Sequence, residues 1–560
     1  MVSNKRSVAR MVEILANHDV GNVVFSPGSR NAPLIISFNE DDRFKCTSIH
    51  DERVAAFFAL GIAQYTGDPV VLSCTSGSAA YNYAPAVAEA FFQGIPLIVC
   101  TADRPIEWVD QEDGQTIRQR GIYGNHVKKS FEFIQEANEK DELWYNDRMV
   151  NEAAIVAKSG KPGPVHINIP LREPIYDVVE NTEQPKIIHA HPAEYSLSQD
   201  TWSALVKEWD ANPKRMVIIG QTNPGTHQLE GLSTLVEKQQ LVVMTETTSN
   251  VVLPFQIDCI DQTIEGLMDQ FEKYQPDLLI TAGGEIVSKK IKALLRKHQP
   301  KHHWQVNQTG VVLDTFQSLT RVIKANPFQF FDQLSKQAAT TGDERFYDTW
   351  QRQTDSRKSK ASSFLDRCEW SDLKVFGELL NAIPPKTQLH LANSTPIRYS
   401  QLFNTRSDIT YFCNRGTSGI DGSTSTAAGM AYASEKLTTI IAGDTSFIYD
   451  SNALWIRDLS RFLRIIVINN KGGNIFRIIP GPDTTKQMEG YFEAAHDVAA
   501  DGLAQTFDLP YYACENQEQL EEILPIFFES DFQKPPILEI TTPQLLNDKI
   551  LKQYFAYITS

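Results

Sequence analysis

"GDTSFIYDSNALWIRDLSRFLRIIVINNKGGNIF", residues 443–476, decides the fold. Two apolar runs feed it, "TTIIAG" and "LRIIVIN", and each stops on polar residues: Gly443-Asp444 and Asn469-Asn470. Runs of this length and β-branched content read as strands buried on both faces, as in a parallel sheet. Asp444 and Asn470 stand 26 positions apart, room for one helix and a returning strand. The two polar strand ends can therefore lie side by side at the carboxyl edge of one sheet, where open α/β sheets bind ligands. A carboxylate and an amide oxygen are hard ligands suited to Mg²⁺, with Mn²⁺ as the alternative ion. Gly472-Gly473 lets the backbone approach closely enough to add a carbonyl. Singly, each dipeptide is an ordinary strand-end turn; it is their spacing and context that point to a metal site.

The same alternation runs outward in both directions. "NVVF", "PVVLSC", "PLIVCTA" and "VHINIP" lie in the first third, with helical stretches such as "ERVAAFFALGIAQYTG" between them. "RMVIIGQ", "LVVMTET", "DLLITAGG" and "HHWQVN" make a second set, and "QLHLANS", "ITYFCNRG", "TTIIAGD", "LRIIVINN" and "PILEITT" a third. Strands alternating with helices imply an α/β fold of three α/β domains with mostly parallel sheets, spanning 1–180, 195–340 and 365–560. The stretch 172–200, with Pro174, Pro185 and Pro192, reads as a linker, and 341–362 as a second, partly helical one.

Composition narrows the function. The 560 residues carry Lys+Arg 53 against Asp+Glu 69, a net charge of −16. Such a chain repels phosphate backbones, so no nucleic-acid partner is expected. Any anionic ligand must be met by arginines concentrated locally. Seven scattered cysteines without a C-x-x-C pair argue against disulfides and structural zinc, and fit a reducing, cytoplasmic setting. No run approaches the length of a membrane span, and the basic N-terminus lacks an apolar core or cleavage signal.

The GD…NN pair resembles the thiamine-diphosphate (ThDP) motif, and "SIHDERVAAFFALGIAQYTGDPVVLSCTSGSAAYN" (48–82) is similar to the pyrimidine-binding domain of that superfamily. That architecture places a carboxylate, here Glu52, against the aminopyrimidine ring, where it shares a proton with a ring nitrogen. Glu52 is equally a first-turn carboxylate favoured by the helix dipole. "SPGSRNAPL", "DERVAAFFALG", "TADRP", "GQTIRQRGIYG", "NRGTSGIDG" and "NNKGGNIF" together resemble one family. It is the 2-succinyl-5-enolpyruvyl-6-hydroxy-3-cyclohexene-1-carboxylate (SEPHCHC) synthase family of menaquinone biosynthesis.

The resemblance implies a pyrimidine-binding domain over 1–180, a central α/β domain over 195–340 and a diphosphate- and metal-binding domain over 365–560. It implies 2-oxoglutarate and isochorismate as substrates, ThDP with Mg²⁺ or Mn²⁺ as cofactors, and a homodimer or dimer-of-dimers tetramer with ThDP between subunits. Glu52 and Gln115 would be catalytic. Glu52, Ser76, Gly77, Ile420, Gly443, Asp444, Thr445, Asn470 and Gly472 would hold the cofactor, with Asp444, Asn470 and the Gly472 carbonyl on the metal. Ser29, Arg30, Arg104, Gln115, Lys289, Ser394, Arg398, Arg415, Ile475 and Phe476 would line the substrate pocket. Arginine suits such substrates because its fork meets a carboxylate with two hydrogen bonds. Taken alone, any one of these arginines is more commonly a surface ion pair, and Lys289-Lys290 a solvated helix face. Open alternatives are another ThDP-dependent decarboxylase, an acetolactate-synthase-like carboligase, or an inactive ThDP fold that only binds. A dehydrogenase lacks its G-x-G-x-x-G, and a serine hydrolase its G-x-S-x-G.

Overall fold

Three parallel sheets follow one another along the chain in a computed structural model that describes residues 1–191, 196–224, 229–239, 241–479 and 481–560. Pro192, part of the expected first linker, lies outside the described residues. The first sheet orders its strands Lys45–Ser48, Asn22–Phe25, Val70–Cys74, Leu97–Asp103, Val165–Pro170 and Ser130–Glu132. The central sheet runs Val242–Thr245, Arg215–Ile219, Leu278–Ala282, His302–Asn307 and Arg321–Lys324. The third runs Thr410–Phe412, Gln388–Leu391, Thr438–Gly443, Leu463–Asn469, Ile537–Thr541 and Tyr511–Cys514. Thr438–Gly443 and Leu463–Asn469 are direct neighbours, with Gly443 opposite Ile468. Asp444 and Asn470 thus leave the sheet at one edge.

The first and third sheets are joined by two helices that meet at glycines. Helix Glu52–Thr66 crosses helix Ser423–Ser434 so closely that a Cβ at Gly61 would sit 2.0 Å from the Thr426 carbonyl oxygen. A Cβ at Gly429 would sit 2.0 Å from the Phe58 oxygen. Only a missing side chain on each allows this approach. Asp51 caps the first helix, its side chain accepting from Val54 N at 3.1 Å, and its other oxygen accepts from Asn452 Nδ2 at 2.6 Å. Glu52 at the helix start is thereby fixed relative to the third domain.

The second expected linker differs from its reading. Glu344–Leu365 is one 22-residue helix, capped by Asp343, whose side chain accepts from Phe346 N at 2.9 Å. Its buried positions are Phe346, Trp350, Thr354, Arg357 and Ala361. Phe346 and Trp350 enter the central core and Ala361 the third. Only three of five stripe residues are apolar, so the periodicity is masked by the polar rest. All seven cysteines are free thiols. Among the described residues no helix is long and apolar enough to cross a membrane.

Candidate active site

Asp444 is buried at the end of Thr438–Gly443. One oxygen accepts from Thr445 N at 2.5 Å and Thr445 Oγ1 at 3.1 Å; the other accepts from Gly472 N at 2.9 Å. Burial raises its carboxyl above the usual range, against these donors. Gly472 has φ +141°, a conformation that strains any residue with a side chain, and a Cβ there would lie 2.9 Å from the Glu493 oxygen. Its carbonyl takes one bond from Asn474 N at 2.9 Å, leaving a lone pair. Asn470 donates Nδ2 to Asp372 Oδ2 at 2.9 Å, so its Oδ1 points away from Asp372. Asp372 is fully buried and pushed up to about 6 by burial. The His496 ring accepts at Nδ1 from Val498 N at 3.2 Å, which leaves the proton on Nε2, 3.6 Å from Asp444 Oδ2. A carboxylate, an outward-facing amide oxygen and a glycine carbonyl form a hard-donor set that fits Mg²⁺.

The first-domain residues form their own group. Arg30 N donates to Thr75 Oγ1 at 3.2 Å, and a Cβ on Gly28 would overlap Thr75, so the "SPGSRN" loop lies against "TSGS". Gln115 Nε2 donates to Ser76 O at 3.1 Å, and Gly77 N donates to Gln119 Oε1 at 2.9 Å. The Ser76 hydroxyl is buried without a partner. Arg30 is 4% exposed; it donates to Leu171 O at 2.9 Å and pairs with Glu173 at 3.0 Å. Burial lowers its pKa, and nearby Arg104 lowers it further. Arg104 donates to Gly114 O at 3.1 Å. Ser29 lies on the same turn.

The third and central domains supply the other group around a cavity of about 530 Å³. Lys289, Thr395, Arg398 and Ile475 line it with Leu551 and Phe555 of the C-terminal helix. Arg398 has no hydrogen bond or ion pair among the described residues, its Nε is buried unpartnered, and burial lowers its pKa. Arg415 instead donates to Asn393 Oδ1 at 2.8 Å and Glu285 Oε1 at 2.9 Å. Ser394, with φ 77°, precedes the short Thr395–Ser400 helix in a strained conformation. Lys289 is exposed, while its neighbour Lys290 pairs with Glu265 and lies 3.4 Å over the Phe555 ring. Phe476 packs toward Phe492. Ile420 is 38% exposed, and its carbonyl accepts from Ser446 Oγ at 2.6 Å.

Among the described residues, no hydrogen bond or ion pair joins the first group to the second. Glu52 accepts from Asn82 Nδ2 at 3.3 Å, within its own domain. The sequence did not single out the carboxylates that hold Arg30, Arg415, the loop after Arg415 and the Asn470 amide: Glu173, Glu285, Glu89 and Asp372. Isolated acidic residues on loops and helices carry no spacing signal, and only their partners in space identify them.

The family described as "Thiamine pyrophosphate enzyme, N-terminal TPP binding domain" matches residues 6–157, and "Middle domain of thiamine pyrophosphate" matches residues 177–391. A Flavobacterium johnsoniae protein named 2-succinyl-5-enolpyruvyl-6-hydroxy-3-cyclohexene-1-carboxylate synthase is 42% identical over 100% of both chains. Proteins of the same name from Christiangramia forsetii and Bacteroides thetaiotaomicron are 40% and 38% identical, covering 100% and 99% of both chains respectively.

Proposed function

The chain belongs to the thiamine-diphosphate-dependent SEPHCHC synthase family, and from that premise we propose how its residues divide the reaction. The protein decarboxylates 2-oxoglutarate and adds the remaining four-carbon unit to isochorismate, giving SEPHCHC and carbon dioxide in menaquinone biosynthesis. The observation that carries the reading is the pair Asp444 and Asn470 at the ends of neighbouring strands, with Gly472 N on Asp444 at 2.9 Å.

Asp444, the Asn470 amide oxygen and the Gly472 carbonyl would hold Mg²⁺, or Mn²⁺ in its place, where its charge offsets that of a diphosphate. ThDP, when bound, would supply the carbon nucleophile and the electron sink that decarboxylation needs. Glu52 holds the proton shared with the aminopyrimidine nitrogen. Ser76 and Gly77 would line the ring, with Gln115 bracing their loop, and Ile420 would pack against the cofactor. Arg398 meets a substrate carboxylate directly, since no hydrogen bond or ion pair among the described residues occupies its guanidinium. Arg30, Arg104 and Arg415 meet the remaining carboxylates by exchanging internal partners for substrate oxygens. Ser29, Ser394 and Lys289 complete the polar rim. Ile475 and Phe476 exclude water, so that carbon and not a proton completes the reaction.

The two groups of site residues are brought together between subunits of a cytoplasmic homodimer, which pairs into a tetramer. In support, exposed aromatic rings of Tyr81, Tyr449 and Trp455 flank the start of the Glu52 helix, and His50 stacks on Trp455 at 5.1 Å. One incubation tests the function: purified protein with ThDP and Mg²⁺ consumes isochorismate only when 2-oxoglutarate is present. No consumption overturns the reading, and aldehyde release from pyruvate points to a decarboxylase instead.

A further inference from the structure

Asn470 can serve a cation only with its carbonyl facing the ion, yet an amide side chain has two nearly isosteric ends. Its orientation is settled by a directed chain of hydrogen bonds that begins at one backbone amide. Asp372 N, which can only donate, bonds to Asn547 Oδ1 at 2.8 Å. The other end of Asn547, Nδ2, therefore donates to Thr542 Oγ1 at 3.2 Å. With its oxygen accepting there, Thr542 sends its own proton to Asp372 Oδ1 at 2.6 Å. Asp372 is left with Oδ2 as an acceptor, and that oxygen takes Nδ2 of Asn470 at 2.9 Å. The members are all buried, at 3% exposure or less, so water cannot substitute for any link. Three elements converge to build the chain: the start of helix Asp372–Ala382, the end of strand Ile537–Thr541 and the start of the C-terminal helix Asn547–Thr559.

We propose that Asp372 is a positioning residue for the metal site, which locks the Asn470 amide with its oxygen toward the ion. This rests on the metal reading of Asp444, Asn470 and Gly472 above. Partners behind a metal ligand commonly govern affinity as strongly as the ligand's own orientation does.

The polarity of the chain makes the test specific. In Asp372→Asn, the Thr542 hydroxyl still donates to the new side chain's oxygen, which turns its NH₂ toward Asn470. Asn470 must then rotate to offer its own oxygen, and its NH₂ faces the cation. ThDP uptake followed by isothermal titration calorimetry at a series of Mg²⁺ concentrations should show an apparent Mg²⁺ affinity lowered by roughly 10–100-fold. The charge-conserving swap D372N/N470D restores the chain with its last bond reversed: the amide now at position 372 donates to one oxygen of the carboxylate now at position 470, whose other oxygen faces the ion. The swap should recover most of the lost affinity, and it carries the test alone if D372N does not fold. Wild-type affinity in D372N, or a swap no better than D372N, overturns the proposal. If wild-type protein takes up ThDP without regard to Mg²⁺, the metal reading falls and this inference with it. Metal dependence in wild type with D372N unchanged removes the inference alone.

Discussion

Glu89 and Gly416 are 327 residues apart in the chain, yet Glu89 Oε1 accepts a hydrogen bond from Gly416 N at 2.7 Å. The other oxygen accepts from Thr417 N and Thr417 Oγ1, both at 2.7 Å. On the far side of the same loop, Arg415 reaches Glu285 of the central domain. A loop pinned from two other domains holds Arg415 and leads to Ile420. Domain packing and the placement of Arg415 are thus one structure.

Glu89→Ala leaves those three donors without their acceptor, and Glu89 is 1% exposed. Each buried donor left unpaired costs about 1–3 kcal/mol. The thermal midpoint should fall by several degrees, and the Michaelis constant for a substrate should rise because Arg415 loses its seat. Differential scanning fluorimetry with steady-state kinetics checks both. An unchanged midpoint would show that the loop is held elsewhere.

Arg398→Ala should behave in the opposite way. This guanidinium makes no internal hydrogen bond or ion pair among the described residues and lies beside Arg415, which lowers its pKa further after burial. Removing this half-buried guanidinium breaks no hydrogen bond and relieves repulsion from Arg415, set against the attraction of Asp261, Glu285 and Glu246. The thermal midpoint should hold or rise, while a substrate Michaelis constant rises roughly 10–150-fold, as for one lost carboxylate contact of about 1.5–3 kcal/mol. A variant that loses stability and keeps its Michaelis constant would make Arg398 structural.

How far these features could be read from sequence follows the physics of each. The strands found by their apolar runs lie mostly inside the sheets. Those without a signal are edges: Lys45–Ser48, Ser130–Glu132, Arg321–Lys324 and Tyr511–Cys514. An edge strand meets water along one side, so "KCTS" and "SFE" carry no continuous apolar run. The adjacency of Asp444 and Asn470 was legible because strand ends impose a spacing. Glu89, Glu285 and Asp372 were not, because each acts on a residue 98 or more positions away. Pairings set by the fold leave no local pattern.

Glu52→Gln keeps the geometry and removes the ionisable proton site. Among the described residues its carboxylate has only the weak bond from Asn82 at 3.3 Å, so the fold has little to lose. Turnover should drop by roughly 10²–10⁴-fold, the usual worth of a positioned acid–base group. Circular dichroism and ThDP titration should match wild type. Near-normal turnover would remove Glu52 from proton transfer.

Glu246 sets a pH dependence that can be followed without substrate. It is fully buried, and burial pushes it up to about 7 from its usual 4.5 although Val287 N and Ser288 N donate to it at 2.6 and 2.8 Å. Asp261 also faces it and raises it, while Arg415 lowers it. Below pH 4.5 the carboxyl is protonated in folded and unfolded chains alike, and its contribution is constant. Between pH 4.5 and about 7 only the folded chain keeps the proton, so stability falls as pH rises, by at most about 1.4 kcal/mol per pH unit. Above that window both forms are ionised and the penalty is complete. Glu246→Gln does not titrate, so it lacks this slope, although it loses one of the two backbone bonds because its NH₂ cannot accept. The thermal midpoint of the variant relative to wild type should therefore climb from pH 5 to pH 7.5. A constant difference would mean that Glu246 stays ionised throughout. Ser288 caps the helix that begins at Lys289, its side chain accepting from Ile291 N at 3.1 Å. Ionised Glu246 grips the Val287 and Ser288 amides more tightly than its neutral form, so the same titration that weakens the fold firms the start of the helix that carries Lys289.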